Sequence, residues 1–428
     1  MLPQQVTCAG KTRVYNDRVH QSGRVTVTSK LKSWLSITLL VLSSVICCGL
    51  LITTINSTDI GKTDLKAYWS ASRLVWEGRN PCAPENMLSI QQQHVDPQQR
   101  APLMAWNPPS LWVFMLPLSW LPFEMARFVW LLANITMTYA ACLLLLRIYL
   151  PGSSIRTQSI FIALASLFVP TLTVTQIGQV TLLVLLGLVG AVCLIKHDRW
   201  FWAGALLCLT SVKPHLVTLA VPYLIAYAII RKEWRFVWGL VSTSVLCMLT
   251  LFALRPEWIQ DYSAYFDNPP ANWLTPTLGG LLQQVGVSGW PQYAGLTLLL
   301  MVPVLLQRPS ARSLESTVSL LTLITIPTTF FGWSFDQVML LIPMAEIFSW
   351  ILISGRSIRV RIGASLASIG VIIVSYVLRS VIHNDIHFIW IPVLWVGIYA
   401  LIDPRHNHAR PNIASSGNGP PMGYTNSL

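Results

Sequence analysis

Charge is what this chain has least of. Only 11% of its 428 residues are Asp, Glu, Lys or Arg, against roughly 25% in a soluble globular domain. Hydrophobic residues make up 53%, and the mean hydropathy is +0.56. Such a chain cannot cover itself with polar surface, which excludes a water-soluble fold and leaves a multi-pass membrane protein. Thiol chemistry is equally thin. The eight cysteines include no CxxC pair; five lie in apolar runs, Cys8 is in the N-terminal tail, Cys208 falls on a short helix, and Cys82 alone is in an outer loop. That excludes a disulfide framework and a thiolate zinc site. No Asp-x-Asp faces outward, there is no Gly-rich phosphate loop, and His383, His387, His406 and His408 are spaced too irregularly for a metal. No metal or cofactor is expected. Nor is there an internal repeat of the kind that builds the paired half-helices of many transporters. A cleavable secretory leader is not evident either.

What is present is a series of thirteen apolar segments: 34–55, 109–121, 125–146, 157–175, 178–195, 200–212, 214–230, 236–254, 291–306, 314–331, 335–354, 362–378 and 387–402. Several fall short of the ~20 residues that a perpendicular spanning helix needs. The net charge of +12 does not point to nucleic acid, because the basic groups cluster between apolar runs. They lie in the tail 1–33 and at Arg147/Arg156, Lys196/Arg199, Arg231/Lys232/Arg235, Arg308/Arg312, Arg356/Arg359/Arg361 and Arg405/Arg410. Placing all of these in the cytoplasm gives an alternating topology with both termini inside. Even crossing then predicts about twelve spans in an all-α transmembrane bundle, with 109–121 irregular: a tilted span or a re-entrant helix. The expected organisation is a basic cytoplasmic tail (1–33), a membrane domain (34–402) with outer loops 56–107 and 255–290, and a disordered cytoplasmic tail (403–428).

The first outer loop carries "TDLKAYWSASRLVWEGRNP", residues 63–81. Helical periodicity puts Leu65, Tyr68, Trp69, Ser72 and Trp76 on one face, with Lys66, Ser70, Arg73 and Glu77 on the other. Gly78, Asn80 and Pro81 end it. This predicts an amphipathic helix lying on the outer membrane surface. Asp64 opens it. The residue is either a first-turn acid complementing the helix dipole behind a Thr63 cap, or a carboxylate at the mouth of a membrane cavity that acts as a general base.

Further motifs follow in order: "WNPPSLWVFMLPLSWLP", "QIGQVTLLVLLGL", "FWAGALLCLTSVKPHLVTLAVPYLIAY" and "GWSFDQVMLLIP". With the first loop, they make residues 34–350 resemble polyprenyl-phosphate-sugar-dependent glycosyltransferases of the GT-C fold. The resemblance is to the family 87 group of bacterial mannosyltransferases and arabinofuranosyltransferases. It implies that Asp64 is the catalytic base, and it places Tyr68, Trp69, Ala71 and Arg73 in the family's aromatic helix. Gly178-Gln179 matches its Gly-Gln turn, Lys213-Pro214 its Lys-Pro turn, and Phe335-Asp336 its aromatic-Asp pair. Two positions depart from the pattern: Asn107 stands where the family has a Tyr before Pro-Pro, and Phe335 again lacks a phenol.

The implied reaction needs a base for the acceptor hydroxyl and a cation for the departing lipid phosphate. Lys213 sits between two apolar segments before a helix-breaking proline. It is a phosphate ligand, or a lysine snorkelling to the headgroups. Gln179 bonds sugar hydroxyls or caps a helix. Asp336 orients the sugar, pairs with Lys213, or complements a helix N-terminus. Arg73 contacts phosphate or is solvated, and His215 adds a hydrogen bond or is structural. Glu346 has no evident partner. The implied partners are a polyprenyl-phosphate sugar donor, a glycolipid or glycan acceptor and membrane lipids, with no nucleic acid. The implied location is the cell membrane, with an extracytoplasmic site transferring a hexose, mannose first. An arabinofuranosyltransferase, a lipid or sugar transporter, and an inactive scaffold remain as competing readings.

Overall fold

A computed structural model describes residues 61, 63–266, 273–287, 289–307, 312–353 and 355–407. The expectations for segment 34–55 and for the tails 1–33 and 408–428 lie outside the described residues. Among the described residues every regular element is helical. Five helices are long and apolar enough to cross a membrane: Phe123–Tyr149, Trp234–Leu254, Ser334–Ile353, Ile358–Val381 and Asp385–Ile402. Ile155–Leu167 and Val169–Ile177 make a sixth candidate bent by 61°. Shorter apolar helices fill in between them.

In chain order the α-helices are α1 (Asp64–Trp76), α2 (Pro84–His94), α3 (Ser110–Ser119), α4 (Phe123–Tyr149), α5 (Ile155–Leu167), α6 (Val169–Ile177), α7 (Thr181–Lys196), α8 (Trp200–Leu207), α9 (Ala220–Ile230), α10 (Trp234–Leu254) and α11 (Trp258–Phe266). They continue with α12 (Leu278–Gln284), α13 (Met301–Gln307), α14 (Leu314–Thr328), α15 (Leu341–Ile353), α16 (Ile358–Val381) and α17 (Trp390–Ile402). Tighter 3-10 turns fall at Cys208–Val212, Pro214–Val217 and Ser334–Leu340, next to the residues that the sequence singles out.

Helix α7 is the central element. Most of its side chains are buried, and it packs on α4, on α8 and on the Cys208–Val212 turn. Helices α8 and α10 approach so closely that a Cβ on Gly204 would overlap the carbonyl of Phe236, and one on Gly239 the carbonyl of Phe201. Small residues at a crossing are how helices gain van der Waals contact where lipid removes the hydrophobic drive. The outer face of α10 is apolar and uncovered, with Trp238 66% and Leu246 64% exposed. A bare apolar face of that length belongs in hydrocarbon.

Helix α1 departs from the expected surface helix. Ten of its thirteen residues are buried, including Lys66, Ser70 and Ser72. It packs against α3, α2 and α4. The face expected to be solvated is covered by the chain that follows: Lys66 Nζ donates to Gln99 Oε1 at 2.6 Å; on the apolar face Trp69 Nε1 donates to the carbonyl of Leu118 at 3.1 Å. Periodicity identified the helix but not its second partner, because residues 84–107 carry no strong pattern of their own. Helix α3 has ten residues and is roughly 15 Å long, half a bilayer core, so 109–121 does not form a straight span.

Four of the basic residues between apolar runs are tied down by polar contacts. Asp403 accepts from Arg312 at 3.2 Å and from Arg405 at 2.7 Å. Arg356 donates to the Asp403 backbone carbonyl, and Lys196 pairs with Glu315 at 2.7 Å. Asp403 and Arg405, at the start of the C-terminal tail, are thus bonded to the ends of the neighbouring helices. Glu346 does have partners: Ser316 Oγ donates to it at 2.5 Å and the Tyr399 hydroxyl at 2.9 Å.

Candidate active site

The Gly-Gln turn builds the first half of the site. Helix α6 ends at Gly178, whose φ of +74° is left-handed, a conformation that glycine adopts without strain. A Cβ there would also lie 2.7 Å from Leu65 Cβ. The missing side chain thus does two things: it turns the chain, and it lets the start of α1 settle on the end of α6. Two hydrogen bonds fix that junction and a third ties the turn to α4. Gly61 N donates to the Gln176 carbonyl at 3.0 Å, Thr63 Oγ1 to the Ile177 carbonyl at 3.2 Å, and Trp130 Nε1 to the Gly178 carbonyl at 2.9 Å. Thr63 does not cap α1 through its side chain.

The next residue then meets the first helix. Gln179 Nε2 donates to Asp64 Oδ2 at 2.7 Å, while Gln179 Oε1 accepts from Val180 N at 3.0 Å. Gln179 therefore links the Asp64 carboxylate to the backbone amide just before α7. Tyr68, one turn after Asp64, is 4% exposed and lies beside both groups. Burial raises the Asp64 pKa; the hydrogen bond from Gln179 and the Lys213 charge oppose this, and the Asp336 charge adds to it. The net direction is upward. Burial, then the charges of Asp64 and Asp336, hold the Tyr68 phenol well above its usual range, so it stays a neutral hydroxyl.

The Lys-Pro turn builds the second half. Pro214 bars helix at the preceding residue, and Lys213 is accordingly extended, with φ −148° and ψ 69°. The two 3-10 turns flank this break. Asn107 Nδ2 donates to the Val212 carbonyl at 3.0 Å, satisfying an acceptor that the break would leave open. Asn107 thus pins the backbone next to Lys213.

Lys213 Nζ donates to Asp336 Oδ1 at 2.7 Å, and the two side chains are 6% and 2% exposed. The same oxygen accepts from Thr181 Oγ1 at 2.6 Å, and Oδ2 accepts from Trp333 N at 3.0 Å. Asp336 is thus satisfied on both oxygens. The ammonium also lies 4.7 Å from the centroid of the Phe335 ring, a cation–π distance, so a phenyl ring serves this contact without a hydroxyl. Lys213 retains two further N–H donors.

These groups face one cavity of about 1700 Å³. Asp64, Tyr68, Asn107, Gln179, Lys213 and His215 line it. Asp336 stands behind Lys213. Arg73 is elsewhere: it bonds Glu77 at 2.8 Å and the Ser119 carbonyl at 3.1 Å, tying α1 to the end of α3. The backbone carbonyl of His215 accepts from Thr329 at 3.1 Å, and its ring sits 5.5 Å from that of Phe331. Its Nε2 is buried without a hydrogen-bond partner among the described residues.

Thr181, Trp333, Arg379 and Asp385 were not singled out from the sequence. Thr181 lies two residues after Gln179 in "QVT", a polar residue opening an apolar run, and that was its available signal. Among the described residues no group of three or more His, Cys, Asp or Glu side chains is arranged to hold a metal.

No curated protein and no solved structure matches the chain. A family model described as glycosyltransferase family 87 matches residues 106–331. That stretch contains Asn107, Gln179, Lys213 and His215; Asp64 and Asp336 flank it. The match covers more than half of the sequence, and the chain belongs to glycosyltransferase family 87, an enzyme family of sugar transferases.

Proposed function

We propose that the protein transfers a hexose, with mannose favoured, from a polyprenyl-phosphate sugar to a lipid-linked or polysaccharide acceptor, with inversion. Asp64 accepts the proton of the acceptor hydroxyl. That oxygen attacks the anomeric carbon from one face while the bond to the lipid phosphate breaks on the other, its electron pair leaving with the phosphate. Lys213 meets the charge that grows on the phosphate oxygens. Asp336 holds the ammonium in place, and Thr181 and the Trp333 amide hold Asp336. Gln179 holds Asp64, and the neutral Tyr68 hydroxyl lies beside them.

The observation that carries this reading is the shared cavity: an acid on one wall and a lysine on another, both held by polar partners among apolar helices. Charged groups in such surroundings are retained for function. A monophosphate leaving group has less need of a divalent ion than a nucleotide diphosphate, so a single lysine is chemically adequate. In the same reading the chain has about twelve spans, both termini and the tails 1–33 and 403–428 are cytoplasmic, and the cavity opens to the extracytoplasmic side of the cell membrane.

The test is turnover by the purified full-length protein in lipid nanodiscs. A panel of prenyl-phosphate sugars (mannose, arabinose, glucose) is supplied with membrane-extracted glycolipids. Release of prenyl phosphate from the mannose donor is the expected result. Consumption of the arabinose donor alone assigns the arabinofuranosyl branch; in sealed proteoliposomes, movement of intact donor across the bilayer without hydrolysis or transfer assigns a transporter.

A further inference from the structure

The cavity wall has two chemically different parts. One is aliphatic, with Val221, Leu240, Leu296 and Leu299. The other is aromatic. Trp273 stacks on Phe331 at 5.1 Å between centroids and meets Trp333 edge-on at 5.7 Å and Trp106 edge-on at 5.9 Å. All four rings line the cavity. Beside them is an ion pair, Arg379 with Asp385, at 2.6 Å. Asp385 also accepts from Ser334 N at 3.3 Å. Consecutive backbone amides, those of Trp333 and Ser334, are thus held by two carboxylates, Asp336 and Asp385. This ties the aromatic wall to the Lys213–Asp336 pair.

We propose that this aromatic wall and the Arg379–Asp385 pair form the subsite for the acceptor's carbohydrate. The inference rests on the glycosyl-transfer reading above and names where the second sugar binds. A pyranose ring has an apolar face of C–H groups with partial positive charge, which suits the negative face of an aromatic ring. Its rim carries hydroxyls that donate and accept. Rings flanked by a guanidinium and a carboxylate meet both demands. A lipid chain needs only the aliphatic part. An anionic phosphate favours a guanidinium whose charge is uncompensated, whereas Asp385 neutralises Arg379. The pair therefore suits a neutral polyol, which can accept from the arginine and donate to the aspartate at once.

The test uses the full-length protein in nanodiscs and needs no donor. Saturation-transfer NMR measures the affinity of mannotriose and maltotriose for the unmodified protein, Trp273→Ala, Trp273→Phe and Asp385→Asn. Donor KM is measured separately on the same preparations. The expected result is oligosaccharide affinity about tenfold weaker in Trp273→Ala and in Asp385→Asn, near-normal affinity in Trp273→Phe, and an unchanged donor KM. Unchanged oligosaccharide affinity in a correctly folded Trp273→Ala protein would overturn the assignment. So would a rise in donor KM without loss of oligosaccharide affinity, which would give the rings to the donor. If the unmodified protein consumes donor but binds neither oligosaccharide, the subsite fails and the transfer reading stands. If it binds oligosaccharide but consumes no prenyl-phosphate sugar, the transfer reading fails alone.

Discussion

Gln179 and Asp64 lie 115 residues apart in sequence and 2.7 Å apart in space, amide nitrogen to carboxylate oxygen. The contact exists because Gly178 has no side chain to hold α1 and α6 apart. It leaves Asp64 with one oxygen fixed by the enzyme and places the carboxylate on the cavity wall. This contact and three other features of the bundle lead to outcomes that can be measured.

The first concerns pH. Asp64 must be ionised to accept a proton, and burial raises its pKa. The acid limb of kcat/KM is therefore expected above the ordinary carboxylate range. Gln179→Ala removes an interaction that lowers this pKa, so the limb should move to still higher pH; Lys213→Met should move it the same way. A raised native pKa also means that the folded state binds this proton more tightly than the unfolded state. The Asp64 contribution to stability accordingly falls as pH rises between the two values. A limb at the ordinary carboxylate position, unmoved by Gln179→Ala, would separate Asp64 from the rate.

The second concerns the buried ion pair. Lys213→Met leaves Asp336 without its cation at 2% exposure, a loss of about 3–5 kcal/mol when one partner of a buried pair is removed. Thermal unfolding in nanodiscs should show it. Donor KM should rise as well. Lys213→Met combined with Asp336→Asn, which removes the charge and keeps an acceptor for Thr181 or the Trp333 amide, should recover most of the stability and none of the donor affinity. Recovery of both would reduce Lys213 to a structural role.

The third concerns the turn. Gly178→Ala forces a Cβ into a left-handed backbone and to within 2.7 Å of Leu65 Cβ. The backbone penalty is about 1–2 kcal/mol, and relief of the clash displaces α1. Transfer should fall at least tenfold, with donor affinity less affected, since Lys213 is on a different element. Full activity in Gly178→Ala would mean that the α1–α6 junction does not set the position of Asp64.

The fourth concerns the opposite end of the bundle. Tyr399→Phe removes a hydrogen bond to the buried Glu346 carboxylate. A loss of stability of about 1–3 kcal/mol is expected, with the donor KM unchanged. Denaturation midpoints and steady-state kinetics on the same preparation separate the two effects.

The legible part of this protein is the part where chemistry conflicts with its surroundings. Lys213 in an apolar stretch before Pro214, and Asp64 and Asp336 at the edges of apolar runs, stand out because charge there needs a reason. Gly178 was readable as a turn, although its clash with Leu65 was not. The pairings were hidden because they join distant segments: Gln179 with Asp64, Asn107 with the Val212 carbonyl, and Thr181 with Asp336 follow from helix packing that no local pattern encodes. The burial of α1 was missed for a related reason. An amphipathic stripe shows that one face is apolar, but a polar face can also be covered when a partner such as Gln99 satisfies it. Arg379 and Asp385 read as one more short outer turn until the fold brought them beside Trp333.

The most direct measurement compares Asp64→Asn with the unmodified protein in nanodiscs, reading donor binding and sugar transfer separately. The substitution keeps the side chain's shape and removes its capacity to take a proton. Prenyl-phosphate-sugar affinity within about threefold of normal, with transfer slowed by roughly 10²–10⁴-fold, is the expected result. Transfer at most of the normal rate would contradict the account, because the hydroxyl would then be activated by something other than Asp64.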